Sequence, residues 1–149
     1  MTSLDADSRE AIDAALGSWK QGDCVLGEQW FVHRFSTDTP LTDAAAAAAR
    51  EGADLAEDLV AGFAVLTQTC DIVRASSKRP YLEVAPLVEV DNKHLKQIER
   101  GYRPRYAFIA GMADRKLVAD LDRIMTVEKA VVAHWERTPG CDSEKAVRD

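Results

Sequence analysis

The stretch GFAVLTQTCDIVR, Gly62–Arg74, constrains the fold more than any other part of the chain. Phe63, Ala64, Val65 and Leu66 read as a buried strand. The chain then turns polar at Thr67, Gln68, Thr69, Cys70 and Asp71, before Ile72 and Val73 resume apolar character. Two hydroxyls, an amide, a thiol and a carboxylate thus gather where a hydrophobic strand ends. Such side chains close turns by bonding to nearby backbone groups, and they also line ligand sites. Both readings stay open for this motif: Asp71 holding the turn, Gln68 satisfying a buried carbonyl and Cys70 packing as a small apolar group, or the same residues facing a ligand.

The surrounding segments supply more short strands. Val25–Leu26 and the aromatic run QWFVHRF predict one strand near 23–26 and another near 29–35, with His33 packed between Phe31 and Phe35. YLEVAPLVEV predicts an alternating strand in which Pro86, with no N–H to donate, marks an edge, a bulge or a break. YRPRYAFIAGM predicts a further strand. RKLVADLDRIMTVEKAVVAHW predicts two short strands with a bend near Asp122, then a strand or a turn of helix at 128–135.

Helices are fewer. Residues 5–19 carry Ile12, Ala15, Leu16 and Trp19 at helical spacing, with Asp5 or Ser8 as cap, within an N-terminal helical region of about 1–21. Thr42 or Asp43 caps the six alanines Ala44–Ala49, and a helix resumes over 53–60, so that 40–61 forms a helical insertion. DNKHLKQIERG predicts a short helix capped by Asp91 or Asn92 and stopped by Gly101. Residues 137–149 read as a loose tail. The expected fold is one α+β, β-dominated domain over 1–149, with its short antiparallel strands closed into a small barrel that leaves no edges.

Composition excludes several function classes. The 149 residues suit one domain able to bury a core without staples. No apolar run approaches the ~20 residues of a membrane span, and the acidic N-terminus lacks the features of a signal peptide, so no membrane role and a cytoplasmic location are expected. Cys24, Cys70 and Cys141 are odd in number and widely spaced, which predicts reduced thiols. The net charge of -6 is uneven. Residues 1–62 hold 4 Lys/Arg against 12 Asp/Glu, whereas 74–105 hold 8 against 4. The total argues against non-specific nucleic-acid binding, while a local basic face remains open.

Three segments carry a family resemblance: GDCVLG at 22–27, GFAVLTQTCDIVR through RPYLEVAPLVEV at 62–90, and LVADLDRIMTVEKAVV at 117–132. Together they resemble the PemK/MazF-like small-barrel toxins of bacterial toxin–antitoxin pairs. The matching late positions are Asp122, Ile124, Thr126, Val127 and Lys129. The resemblance implies a closed small barrel, often a homodimer, and metal-independent cleavage of single-stranded RNA. Leu66–Asp71 is also similar to a motif of uncharacterised bacterial proteins of this barrel type, some encoded near phage-defence genes. Two positions depart from the family: Gly62 has no arginine beside it, and Pro86-Leu87 is followed by Val88 and Glu89 where the toxins place a serine or threonine. The fold therefore transfers more safely than the activity.

The chemistry-bearing candidates follow. Cys70 is a nucleophile candidate if Arg74, Lys78 or Arg79 lowers its pKa, although an adjacent Asp71 charge acts the other way. RNA cleavage needs a group to activate a 2′-hydroxyl and a cation for the phosphate. Asp71, Arg79 and Cys70 are the catalytic candidates. Thr67, Gln68, Thr69, Arg74, Arg103 and Arg105 are the ligand-binding candidates, and Tyr102 and Tyr106 can stack on bases. The bland alternative is that the arginines line a solvated face and pair with carboxylates. No Cys/His spacing suggests a metal, and no cofactor is expected. The leading expectation is a PemK-like protein of a toxin–antitoxin or phage-defence setting that binds RNA or a nucleotide. A MazF-like endoribonuclease is the enzyme alternative. An interaction module, docking a cognate protein through the alanine-rich helix, is the third.

Overall fold

The computed structural model describes residues 5–141. The expectations for 1–4 and 142–149 lie outside the described residues. The element order is α1 (Ala6–Leu16), β1 (Cys24–Arg34), α2 (Asp43–Arg50), β2 (Leu55–Val65), α3 (Thr69–Ile72), β3 (Tyr81–Glu89), α4 (Asn92–Glu99), β4 (Tyr106–Ala107), a 3₁₀ helix (Ala110–Arg115), β5 (Leu117–Asp120), β6 (Met125–Glu128) and α5 (Lys129–Ala133). The fold is α+β and dominated by β structure, as the strand count predicts.

All strand pairs are antiparallel, in the order β1-β2-β3-β5-β4, with β6 also on β3. β5 and β6 divide the pairing of β3 between them. Glu89–Leu87 face Leu117–Ala119, and Val84–Tyr81 face Met125–Glu128. Pro86 sits at the changeover, where a ladder donor is dispensable. A strand at the centre of a sheet thereby accommodates a proline.

The sheet is not closed into a barrel, contrary to expectation. β4 is only two residues long and offers little edge for β1 to join. The outer edge of β1 is occupied otherwise. Cys24 exchanges backbone hydrogen bonds of 2.9 and 2.8 Å with Thr138, and the Val32 N–H donates to the Met125 Sδ at 3.4 Å. The second contact brings β1 and β6 near each other, so the sheet curls without completing a ladder.

Three further expectations are corrected. Leu55–Val65 is a strand, not the continuation of a helix over 53–60. Its buried residues Ala56 and Val60 are four apart, a spacing that suits a helix face and a strand face alike. Pairing with β1 over Gln29–Arg34 decides for the strand. The helical insertion thus ends with α2, which Thr42 caps by accepting from the Ala45 N–H at 3.1 Å. Residues 24–34 form one strand, where two were expected. A one-residue register shift between Leu26 and Gln29 is a bulge containing Gly27 at φ +105°. Opposite it, a Cβ on Gly62 (φ +144°) would collide with the Val25 carbonyl oxygen. The strand expected in YRPRYAFIAGM shrinks to Tyr106–Ala107, and the end of the segment enters the 3₁₀ helix.

The end of β2 and the middle of β3 are buried on both faces. Phe63, Val65, Leu82 and Val84 pack with Leu16, Trp19, Ile72 and Val132 under α1 and α5. Trp135 stacks on Phe63 with ring centroids 5.8 Å apart. On the opposite face Ala64, Ala85 and Leu87 pack with Met112, Leu117 and Ala119. Full burial of each large apolar side chain stabilises by roughly 1.5–3 kcal/mol. This double coverage explains the near-continuous apolar runs in both strands.

The segment expected as a loose tail from 137 is fastened as far as the described residues reach. Asp23, 3% exposed, accepts from the Lys20 N–H at 2.8 Å, the Gly140 N–H at 3.0 Å and Arg137 Nη1 at 3.0 Å. The aspartate of the Gly22-Asp23 pair is therefore a clamp for residues 137–140. Burial, with Asp23 and Cys141 adding to it, pushes the neighbouring Cys24 thiol up to about 12, which leaves it inert at neutral pH.

Candidate functional site

The end of β2, α3 and the start of β3 enclose an open cleft of about 510 Å³. Each wall has a local cause. Beyond Val65, the Leu66 N–H still donates to the Glu83 carbonyl at 2.8 Å. The Glu83 N–H donates back to Thr67 Oγ1 at 2.8 Å, so Thr67 replaces a ladder acceptor as the strands separate. The chain then turns into the four residues of α3, a single helical turn. Thr69 Oγ1 accepts from the Gln21 N–H at 3.1 Å, and Gln21 Nε2 donates to the Leu66 carbonyl at 2.8 Å. Gln21, not Gln68, satisfies that carbonyl.

Lys129 secures the turn from beneath. It is 1% exposed, and its Nζ donates to the carbonyls of Asp71 at 3.0 Å and Arg74 at 2.7 Å. Burial lowers its pKa, while the charges of Asp13 and Asp71 oppose that shift. The loop that follows is tied to α1 by the Ser76 N–H, 3.0 Å from Asp13 Oδ1. It is tied to α5 by the Lys129 N–H, 2.8 Å from the Pro80 carbonyl. These anchors hold Arg79 at the rim.

The residues of the TQTCD motif differ in what they touch. Thr67 and Thr69 are staples, although Thr67 also borders the cleft. Gln68, Asp71 and Arg79 line the cleft with Tyr81, Glu83 and Thr126. Asp71 lies 3.4 Å from Arg74 Nε in a half-exposed ion pair, which places Arg74 beside the cleft rather than in its lining. Among the described residues, neither Arg79 nor Glu83 has an ion-pair partner. Cys70 is exposed, with its Sγ 3.8 Å from Gln68 Oε1, and is not part of the lining. None of the three histidines lines the cleft. His33 stacks on Phe31 at 5.6 Å, as its strand position suggests, and His94 pairs with Asp91 at 2.9 Å.

Arg103 and Arg105 are not brought to this site. Arg103 Nε donates to Gln97 Oε1 at 2.8 Å. Arg105 makes two bonds to Asp120, at 3.1 and 3.0 Å, and lies over the Tyr106 ring at 5.2 Å. Asp120 is 1% exposed and also takes Arg123 Nε at 2.9 Å and the Asp122 N–H at 3.0 Å. Burial pushes its pKa up, but these hydrogen bonds outweigh burial and hold the carboxyl below its ordinary range. The neighbouring acid singled out in the sequence, Asp122, is thus the minor partner. Tyr102 and Tyr106 also lie outside the cleft, and Tyr81 takes the aromatic position. The alternation Tyr81-Leu82-Glu83-Val84, with its even members buried, was the available signal for Tyr81 and Glu83.

Chemically, the cleft offers an exposed aromatic face, an uncommitted guanidinium, an amide, two carboxylates and a hydroxyl. Among the described residues, no group of three or more His, Cys, Asp or Glu side chains is placed to hold a metal ion. No helix among them is long and apolar enough to cross a membrane. Neither a protein-family model, nor a curated protein, nor a solved structure matches the chain.

Proposed function

We propose that the cleft between α3 and the start of β3 binds a nucleotide unit, free or within a single-stranded RNA. The observation that carries this reading is Arg79, a guanidinium without an ion-pair partner among the described residues, in one cleft with the exposed ring of Tyr81. An aromatic face receives a base and an arginine receives its phosphate, a combination that recurs in single-strand recognition. The PemK-like affiliation and a bacterial toxin–antitoxin or phage-defence setting belong to the same proposal, supported by the three sequence segments described above. α2, of which only Ala45 is buried, is the surface proposed for a cognate protein partner.

Fluorescence anisotropy with a labelled pentanucleotide RNA tests the binding. Tyr81→Ala should cost about 1–3 kcal/mol of binding, the usual value of one stacked base. Arg79→Ala should weaken binding and lower its salt dependence. Binding unchanged in both variants would remove the proposal.

The enzyme alternative, a MazF-like endoribonuclease, has one observation in its favour: Asp71 and Arg79, a carboxylate and a cation, line the same cleft. RNA cleavage that yields a 2′,3′-cyclic phosphate and is lost in Asp71→Ala would establish it. Intact RNA after prolonged incubation would leave binding alone.

A further inference from the structure

Tyr81 and Glu83 are two apart on β3 and point to the same side, away from buried Leu82. Both line the cleft opposite Gln68 and Asp71. The backbone N–H of Glu83 is consumed by Thr67, and the backbone carbonyl by Leu66. Its carboxylate makes no hydrogen bond or ion pair with another described residue. A base stacked on Tyr81 would therefore present its edge to a carboxylate whose acceptors are all unused.

An ionised carboxylate only accepts hydrogen bonds. Guanine alone among the four RNA bases offers two adjacent donors, N1–H and the N2 amino group, to both oxygens of one carboxylate. Adenine and cytosine set a ring acceptor beside their amino group. Uracil flanks its single N–H with two carbonyls. Each of these three would hold an acceptor against Glu83, leaving polar groups unpaired, and it is such unpaired groups that generate large discrimination.

We infer that the cleft selects guanine, with Glu83 reading the Watson–Crick edge of a base stacked on Tyr81. This rests on the nucleotide-binding reading above and adds the identity of the base.

The test compares the pentanucleotides UUGUU, UUAUU, UUCUU and UUUUU on the wild-type chain, Glu83→Gln and Arg79→Ala. UUGUU should bind at least about ten-fold tighter than the other three, the usual discrimination of a bidentate base contact. Glu83→Gln, whose amide offers a donor to adenine N1 and an acceptor to its amino group, should erase most of that preference by weakening UUGUU and strengthening UUAUU, at an unchanged urea unfolding midpoint. Equal wild-type affinity for UUGUU and UUAUU, with both weakened by Arg79→Ala, would overturn guanine selection and leave the nucleotide site standing. If none of the four RNAs binds, both the site and its selectivity fall.

Discussion

Two clusters of arginine and aspartate lie on the same curled sheet, and they differ in what is left over. At the β4–β5 end, buried Asp120 takes bonds from Arg105, Arg123 and the Asp122 amide. At the α3 end, Asp71 is half-exposed and loosely paired with Arg74, while Arg79 and Glu83 have no ion-pair partner among the described residues. The same residue types hold the fold in one place and form a candidate site in the other. The distinction lies in burial and in the number of uncommitted donors and acceptors, not in residue identity.

Substitutions should separate the two clusters by stability. Asp120→Ala strips two guanidinia and an amide of their common acceptor and leaves a hole in the sheet. It should lower unfolding stability by about 3 kcal/mol, at the low end for breaking a buried ion pair because both arginines reach water. A urea titration reads this, and RNA binding by the fraction still folded should be kept.

Lys129→Met keeps the buried stem but removes the donor to the Asp71 and Arg74 carbonyls. A loss of about 1–3 kcal/mol is expected. Weaker RNA binding should accompany it, because α3 loses its anchor. Equal stability with intact binding would show that α3 holds without the lysine.

Acid should weaken the closed cluster. The Asp120 pKa is lowered on folding, so its contribution is complete above the ordinary carboxylate value of about 4 and is lost as pH falls below it. Wild-type unfolding midpoints should drop over that window, and Asp120→Asn should flatten the drop. The smallest effect belongs to Arg103→Ala. Its exposed bond to Gln97 predicts a change within about 0.5 kcal/mol in stability and none in RNA binding.

How much of this was legible in the sequence depended on whether local pattern or distant pairing decided each element. The caps at Asp5, Thr42 and Asp91 and the two short strands around Asp122 are local, and they appear as expected. β2 misled because Ala56 and Val60 fit both periods, and only β1, more than twenty residues earlier, resolves them. Barrel closure failed for an equally non-local reason, the two-residue β4 and the occupied edge of β1. Around the cleft, Gln68, Asp71 and Arg79 lie close in sequence, and their sharing one lining was legible. Arg103 and Arg105 carry the same charge but bond to Gln97 and Asp120 away from the cleft, a pairing that no spacing rule announces. Tyr81 and Glu83 were visible as one face of a strand, but their place opposite α3 depends on the hydrogen bonds between Thr67 and Glu83.

The comparison between the clusters is tested most directly by Arg79→Ala and Arg105→Ala side by side, each measured for RNA affinity and for urea midpoint. Arg79→Ala should lose RNA affinity at an unchanged midpoint. Arg105→Ala should lower the midpoint, by about 1–2 kcal/mol of stability, and bind RNA like the wild type. If Arg105→Ala weakens binding as much as Arg79→Ala does, or if Arg79→Ala destabilises without affecting binding, the assignment of one cluster to the fold and the other to a ligand is wrong.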